Sequence, residues 1–188
     1  MTRRIVISGG PGTGKTALIR HLEQARYPCF HEIIRDMTLE ARAVEPSDIQ
    51  LTNPLAFVRD PMAFNRRLLD SRLAQFRAAE DLQVPFVFYD RGLPDIIAYM
   101  DYFNQAYGAD FEGPCLENRY DRVVLLPPWE SIYRQDDGRL ESFDEACAIH
   151  RCLEHSYLAC GYDLLELAPG TLEQRMHRIL ELVPPPHG

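Results

Sequence analysis

Of the 20 basic residues in this chain, 19 are arginine and one is lysine, Lys15. It sits in the stretch Gly9, Gly10, Pro11, Gly12, Thr13, Gly14, Lys15, Thr16, with Ala17 next, and the pattern G-x-x-x-x-G-K-[ST] falls on Gly9, Gly14, Lys15 and Thr16. The chemistry of that spacing is phosphate binding. Glycines let backbone N–H groups turn inward as an anion nest, and a following helix adds the positive end of its dipole. A compact ammonium reaches the outer phosphates, and the adjacent hydroxyl is a hard-oxygen ligand for Mg²⁺. Arginine is planar and forked and does not replace lysine at a tight site. A chain that otherwise uses arginine keeps lysine here. Gly9 to Ala17 are therefore expected to hold the phosphates of a nucleotide. No G-x-G-x-x-G can be laid on Gly9 to Gly14, which excludes a dinucleotide fingerprint.

Other residues have types and places that suit the same chemistry. Asp90 ends the apolar run Phe86-Val87-Phe88-Tyr89, where an acid holds Mg²⁺ or its water. Arg91 follows, where a motor ATPase generally carries a second, water-activating acid; a guanidinium is better suited to gripping a phosphate or a nucleoside substituent. The alternative for Asp90 is a strand-end acid paired with its neighbour. Arg134 and Arg139 bracket a polar stretch between a strand and a helix and read as a lid over a transferred phosphoryl group, or else as a solvated charged loop. Glu32 and Arg35 follow a short strand. Their spacing puts a proton acceptor and an orienting guanidinium for an acceptor substrate on one helical face, or makes a surface ion pair. His31 reads as a packing or solvent-facing residue. Trp129, the only tryptophan, reads as a wall of the cleft or a core anchor.

The elements that must position these groups alternate. Strands are expected at Arg3 to Ser8, Cys29 to Ile33, Pro85 to Asp90, Arg122 to Leu126 and Tyr162 to Leu167. Helices are expected after the glycine loop, over Met62 to Leu82, Pro94 to Tyr107, Phe143 to Cys160 and Thr171 to Leu182. Glu45 to Pro61 and Gly108 to Tyr120, with Gly113-Pro114, read as long loops between which an acceptor enters. Alternating βα units predict a doubly wound three-layer α/β/α domain with a mostly parallel, five-stranded sheet. Its ligands bind beyond the carboxyl ends of the strands. The 188 residues, 46% of them hydrophobic, suit one domain over 1–183 with a frayed proline-rich tail at 184–188. The net charge of −8 argues against a nucleic-acid surface. No apolar run reaches membrane-spanning length. Five cysteines without a C-x-x-C pair fit a reduced, cytoplasmic protein. A second lysine would be needed for the guanine-reading N-K-x-D element of Ras-type GTPases, so that element is absent.

Taken together, Gly9 to Thr16, His31 to Arg35, Asp90 to Asp95 (DRGLPD), Arg119 to Glu130 and Tyr133-Arg134 with Arg139 before Ser142-Phe143 resemble a small predicted-ATPase family of P-loop proteins. That family is related to the nicotinamide-riboside-kinase domain of bacterial NAD regulators and to an animal channel-trafficking protein that binds nucleotide. The resemblance implies a nucleoside- and nucleotide-kinase type of fold, with ATP and Mg²⁺. Two functions then stand open. One is a phosphotransferase acting on a nucleotide and a small-molecule acceptor: Lys15 holds the phosphates, Thr16 and Asp90 the metal, Arg91, Arg134 and Arg139 the transferring group, and Glu32 with Arg35 the acceptor. The other is a nucleotide-dependent switch, or slow ATPase or GTPase, that signals to a protein partner.

Overall fold

The structure is a computed structural model that describes residues 2–34, 60–133 and 141–182. Arg35, Arg134, Arg139, most of the 45–61 stretch and the 184–188 tail lie outside the described residues. In chain order the elements are β1 (Arg3–Gly9), α1 (Lys15–Gln24), β2 (Cys29–Phe30), α2 (Pro61–Ala78), β3 (Phe86–Asp90), α3 (Pro94–Tyr102), α4 (Ala109–Glu117), β4 (Arg122–Leu126), α5 (Phe143–Ala159), β5 (Leu164–Glu166) and α6 (Leu172–Leu182). The five strands form one sheet in the order β2-β3-β1-β4-β5, and every pairing is parallel.

Parallel strands covered on both faces read as unbroken apolar runs, because each face of the pleat meets a helix layer. β1 shows the division. Val6 points to one side, where Val87, Tyr89 and Val123 meet α2, α3, α4 and α5 through Leu68, Leu69, Ile96, Phe111 and Tyr157. Ile5 and Ile7 point to the other, where Phe88, Val124 and Leu126 meet α1 and α6 through Leu18, Ile19, Leu22 and Ile179. This is the three-layer α/β/α arrangement.

Local signals set most helix starts. The Asp60 side chain accepts from the Ala63 N–H at 3.0 Å, with Pro61 as the first helical residue of α2. Ser142 and Glu145 form a reciprocal capping box at the start of α5. α3 stops at Tyr102, short of the expected Tyr107, and Asn104 turns the chain at φ +52°. β2 is two residues long rather than five.

One expectation is overturned. Gly108 to Tyr120 is not a loop: Ala109–Glu117 is helical despite Gly113-Pro114. Pro114 has no N–H to offer the Asp110 carbonyl, and Arg66 of α2 takes its place, donating Nη1 to that oxygen at 3.1 Å. Arg66 also pairs with the Asp110 carboxylate and lies over the Phe111 ring at 4.3 Å. Phe111 and Cys115, one turn apart, are buried in the main core. Phe111→Ala is therefore expected to cost about 3–5 kcal/mol in denaturant unfolding, while the neighbouring exposed Leu116→Ala changes stability by about 0.5 kcal/mol or less. Equal, small effects would contradict a docked helix.

Candidate active site

The glycine loop leaves β1 at Gly9, between the neighbouring strands β3 and β4. In the β1–β3 register Ile7 lies opposite Asp90, so the end of β3 reaches the root of the loop. Lys15 is the first residue of α1 and points back to that end: its Nζ is 2.8 Å from Asp90 Oδ1, with the two side chains 7% and 2% exposed. The carboxylate expected to be a metal ligand thus pairs with the loop lysine, not with its neighbour Arg91. Thr16 follows in the first turn of α1, half-buried, and Ala17 is exposed. Thr13 Oγ1 donates to the Gly10 carbonyl at 3.0 Å, holding the loop closed on itself. Gly12 and Gly14 adopt φ +76°, and each is met by a side chain where a Cβ would stand, Tyr133 at Gly12 and Arg175 at Gly14.

Beside this pair lies a charged cluster. Glu32, just beyond β2, accepts from Arg72 Nη2 at 3.0 Å and from Arg91 Nε. Arg91 Nη1 reaches Asp95 Oδ1 at 3.3 Å, and its guanidinium lies over the Tyr99 ring at 5.1 Å. Arg72 also donates to the Asp90 carbonyl at 3.4 Å. Burial pushes the Glu32 carboxyl up, but the guanidiniums of Arg91 and Arg72 and the Lys15 ammonium outweigh it and hold it at about 2. Among its neighbours, Tyr99, Glu32, Asp95 and Asp90 drive Arg91 well above its ordinary value despite its burial. Among the described residues, the partners of Glu32 come from α2 and from the turn after β3.

Four residues matter here to which the sequence assigned no role. Asp95, 1% exposed, accepts from Ser8 Oγ at 2.7 Å, the Gly92 N–H at 2.8 Å and Tyr157 Oη at 2.5 Å, besides Arg91. It fixes the turn that presents Asp90 and Arg91. Arg72 and Arg175 stand where a helix buries its apolar stripe, four residues after Leu68 and four before Ile179. A charged residue on such a stripe was the signal available. Tyr133 packs on Gly12 and donates to the Glu141 carbonyl. Trp129 is half-buried beside Arg175, at 6.0 Å from its guanidinium, and so stands near the loop. His31 is exposed and meets Glu23 at 3.0 Å.

A sequence-family model described as an AAA domain matches residues 4–175. The chain belongs to that family. Solved structures similar to this AAA-domain protein include deoxyadenosine kinase from M. mycoides with bound dATP, with a TM-score of 0.64 at 15% identity, covering 96% of this chain and 98% of that one. Thymidylate kinase from Candida albicans has a TM-score of 0.64 at 16% identity, covering 97% and 91%. NadR protein in complex with NR has a TM-score of 0.64 at 19% identity, covering 97% of this chain and 50% of that one. These likenesses show the P-loop fold in the version used by nucleoside and nucleotide kinases. Comparison with curated protein sequences found no match. Among the described residues, no helix is long and apolar enough to cross a membrane.

The depressed Glu32 carboxyl has a measurable consequence. A group whose folded value lies below its unfolded value of about 4.5 contributes fully above that value and loses its contribution as pH falls toward about 2. Glu32→Gln is expected to cost roughly 3 kcal/mol at pH 7. Urea titrations of both proteins should show that difference constant from pH 7 to 5 and shrinking below about pH 4.5. A difference independent of pH down to 3 would contradict the pairing.

Proposed function

We propose that this protein is a phosphotransferase that moves the γ-phosphate of Mg²⁺-ATP to a small acceptor of the nucleoside or nucleotide type. The observation that carries the reading is the two-part site at the carboxyl ends of β1, β2 and β3. The Lys15–Asp90 pair lies at the glycine loop. The Glu32–Arg72–Arg91 cluster adjoins it, with Arg91 where a motor ATPase would have its second acid. The names of two structural neighbours, deoxyadenosine kinase and thymidylate kinase, support the acceptor class.

In this reading Lys15 and the N–H groups of Gly9 to Ala17 hold the β- and γ-phosphates. Entry of phosphate exchanges the carboxylate partner of Lys15 for phosphate oxygens. The Thr16 hydroxyl and the Asp90 carboxylate fit Mg²⁺, since both are hard oxygen donors, and one or two such ligands plus phosphates and waters are its usual set. When bound, the ion supplies neutralisation of the charge on the phosphate oxygens. Glu32 is a poor proton acceptor with its carboxyl held at about 2, and a loose phosphoryl-transfer transition state needs little proton abstraction. Its role is then to receive the acceptor hydroxyl and orient it, with Arg35 assisting. Arg91 is held by Glu32, Asp95 and Tyr99. That rigidity suits a preorganised cation beside the transferring group, and Arg134 and Arg139 complete the set.

ADP release from Mg²⁺-ATP, alone and with pooled nucleosides and nucleotides, tests the proposal. One pool is expected to stimulate release, and Lys15→Ala to abolish it. That variant leaves Asp90 buried without its direct ion-pair partner, so it is also expected to lose about 3–5 kcal/mol of stability; Thr16→Val, which spares the pair, serves as the second control. Slow, Lys15-dependent hydrolysis that no pool changes would overturn the kinase reading in favour of a nucleotide switch.

A further inference from the structure

Arg175 is a buried cation for which the reading above has no use. It and Ile179 are the buried residues of α6. The side chain is 4% exposed. Its Nη2 donates to the Thr13 carbonyl at 3.0 Å, and its Nη1 lies 2.9 Å from where a Cβ on Gly14 would stand. Nε has no partner. Arg72 and Arg91, the guanidiniums of the Glu32 cluster, each pair with a carboxylate. Among the described residues no carboxylate pairs with Arg175; its nearest aromatic contact is the Trp129 ring at 6.0 Å. Burial lowers its pKa from the ordinary guanidinium value, with no acid acting against it. An unpaired buried charge is costly, and this one sits against the phosphate loop.

Its placement has a geometric effect. In a planar trans peptide the C=O and the N–H point in opposite directions. Tying the Thr13 oxygen to α6 turns the N–H of Gly14 to the side away from α6. Gly14, at φ +76° and without a Cβ, allows both that turn and the approach of the guanidinium.

We propose that Arg175 is a positioning residue for polyphosphate: its fork fixes the Thr13–Gly14 peptide for anion binding, and its charge finds its complement in a nucleoside triphosphate held by the loop. The proposal rests on the nucleotide reading above. It makes affinity depend on ligand charge, with the triphosphate gaining more than the diphosphate.

Calorimetric titration of Mg²⁺-ATP and ADP into wild type, Arg175→Met, Arg175→Gln and Arg175→Lys tests it, with thermal unfolding of each protein without nucleotide. Loss of a hydrogen-bonding charged group predicts about 10- to 100-fold weaker ATP binding in Arg175→Met. The loss for ADP is smaller, so the ATP-to-ADP affinity ratio falls. Arg175→Lys keeps the charge and is expected to restore most of the ratio; Arg175→Gln is not. Wild-type ATP affinity in Arg175→Met overturns the proposal. So does a loss equal for both nucleotides that tracks a lower melting temperature, the mark of a purely structural role. If Arg175→Met does not fold, the Gln-against-Lys comparison decides by the same ratio. Wild type that binds neither nucleotide overturns the nucleotide reading and this proposal together, whereas wild-type binding with unaltered variants sinks this proposal alone.

Discussion

The buried pair between Lys15 and Asp90 sets the terms for everything around it. Two charges have left water at the junction of β1, α1 and β3, 2.8 Å apart. Desolvation on that scale is tolerable only when geometry is exact and the surrounding polar atoms are satisfied. The parallel register supplies the geometry, because Asp90 lies opposite Ile7 and Lys15 opens the helix that follows β1. The satisfaction comes from further out: Arg72 donates to the Asp90 carbonyl, and Asp95 holds the turn that follows it through Ser8, Gly92 and Tyr157.

The same constraint explains why a chain of net charge −8 has a cationic interior at its loop. Lys15, Arg72 and Arg91 face Asp90, Glu32 and Asp95, and Arg175 lies against the loop, all of them buried or nearly so. Among these described residues the cations outnumber the acids by one, and the cation without an acid partner is the one touching the loop backbone. Net charge describes the solvated surface; the field in a cleft is decided by the few groups held out of water. In the proposed reading, the complement to such a site is an anion of high charge. The position of Glu32 between two guanidiniums follows the same logic, since its low proton affinity keeps it anionic and keeps both arginines in place.

Residues near in sequence announced much of this protein. The Gly9 to Thr16 pattern, the apolar runs of β1, β3 and β4 and the acid ending β3 are all local, and each carries its physical reason within a few residues. Length and alternation then pointed to a three-layer α/β domain and put the glycine loop, Glu32 and Asp90 at expected strand ends, where ligands of such sheets bind. Tertiary structure decided what those groups touch. Helix α4 forms across Gly113-Pro114 because Arg66, 44 residues earlier, satisfies the carbonyl that proline leaves free. Arg72 meets Glu32 across 40 residues, and Arg175 meets Thr13 across 162. Periodicity marks a position as buried but does not name its neighbour. A charged residue on a buried stripe therefore stays ambiguous in the sequence until the chain closes and brings its partner within hydrogen-bond distance.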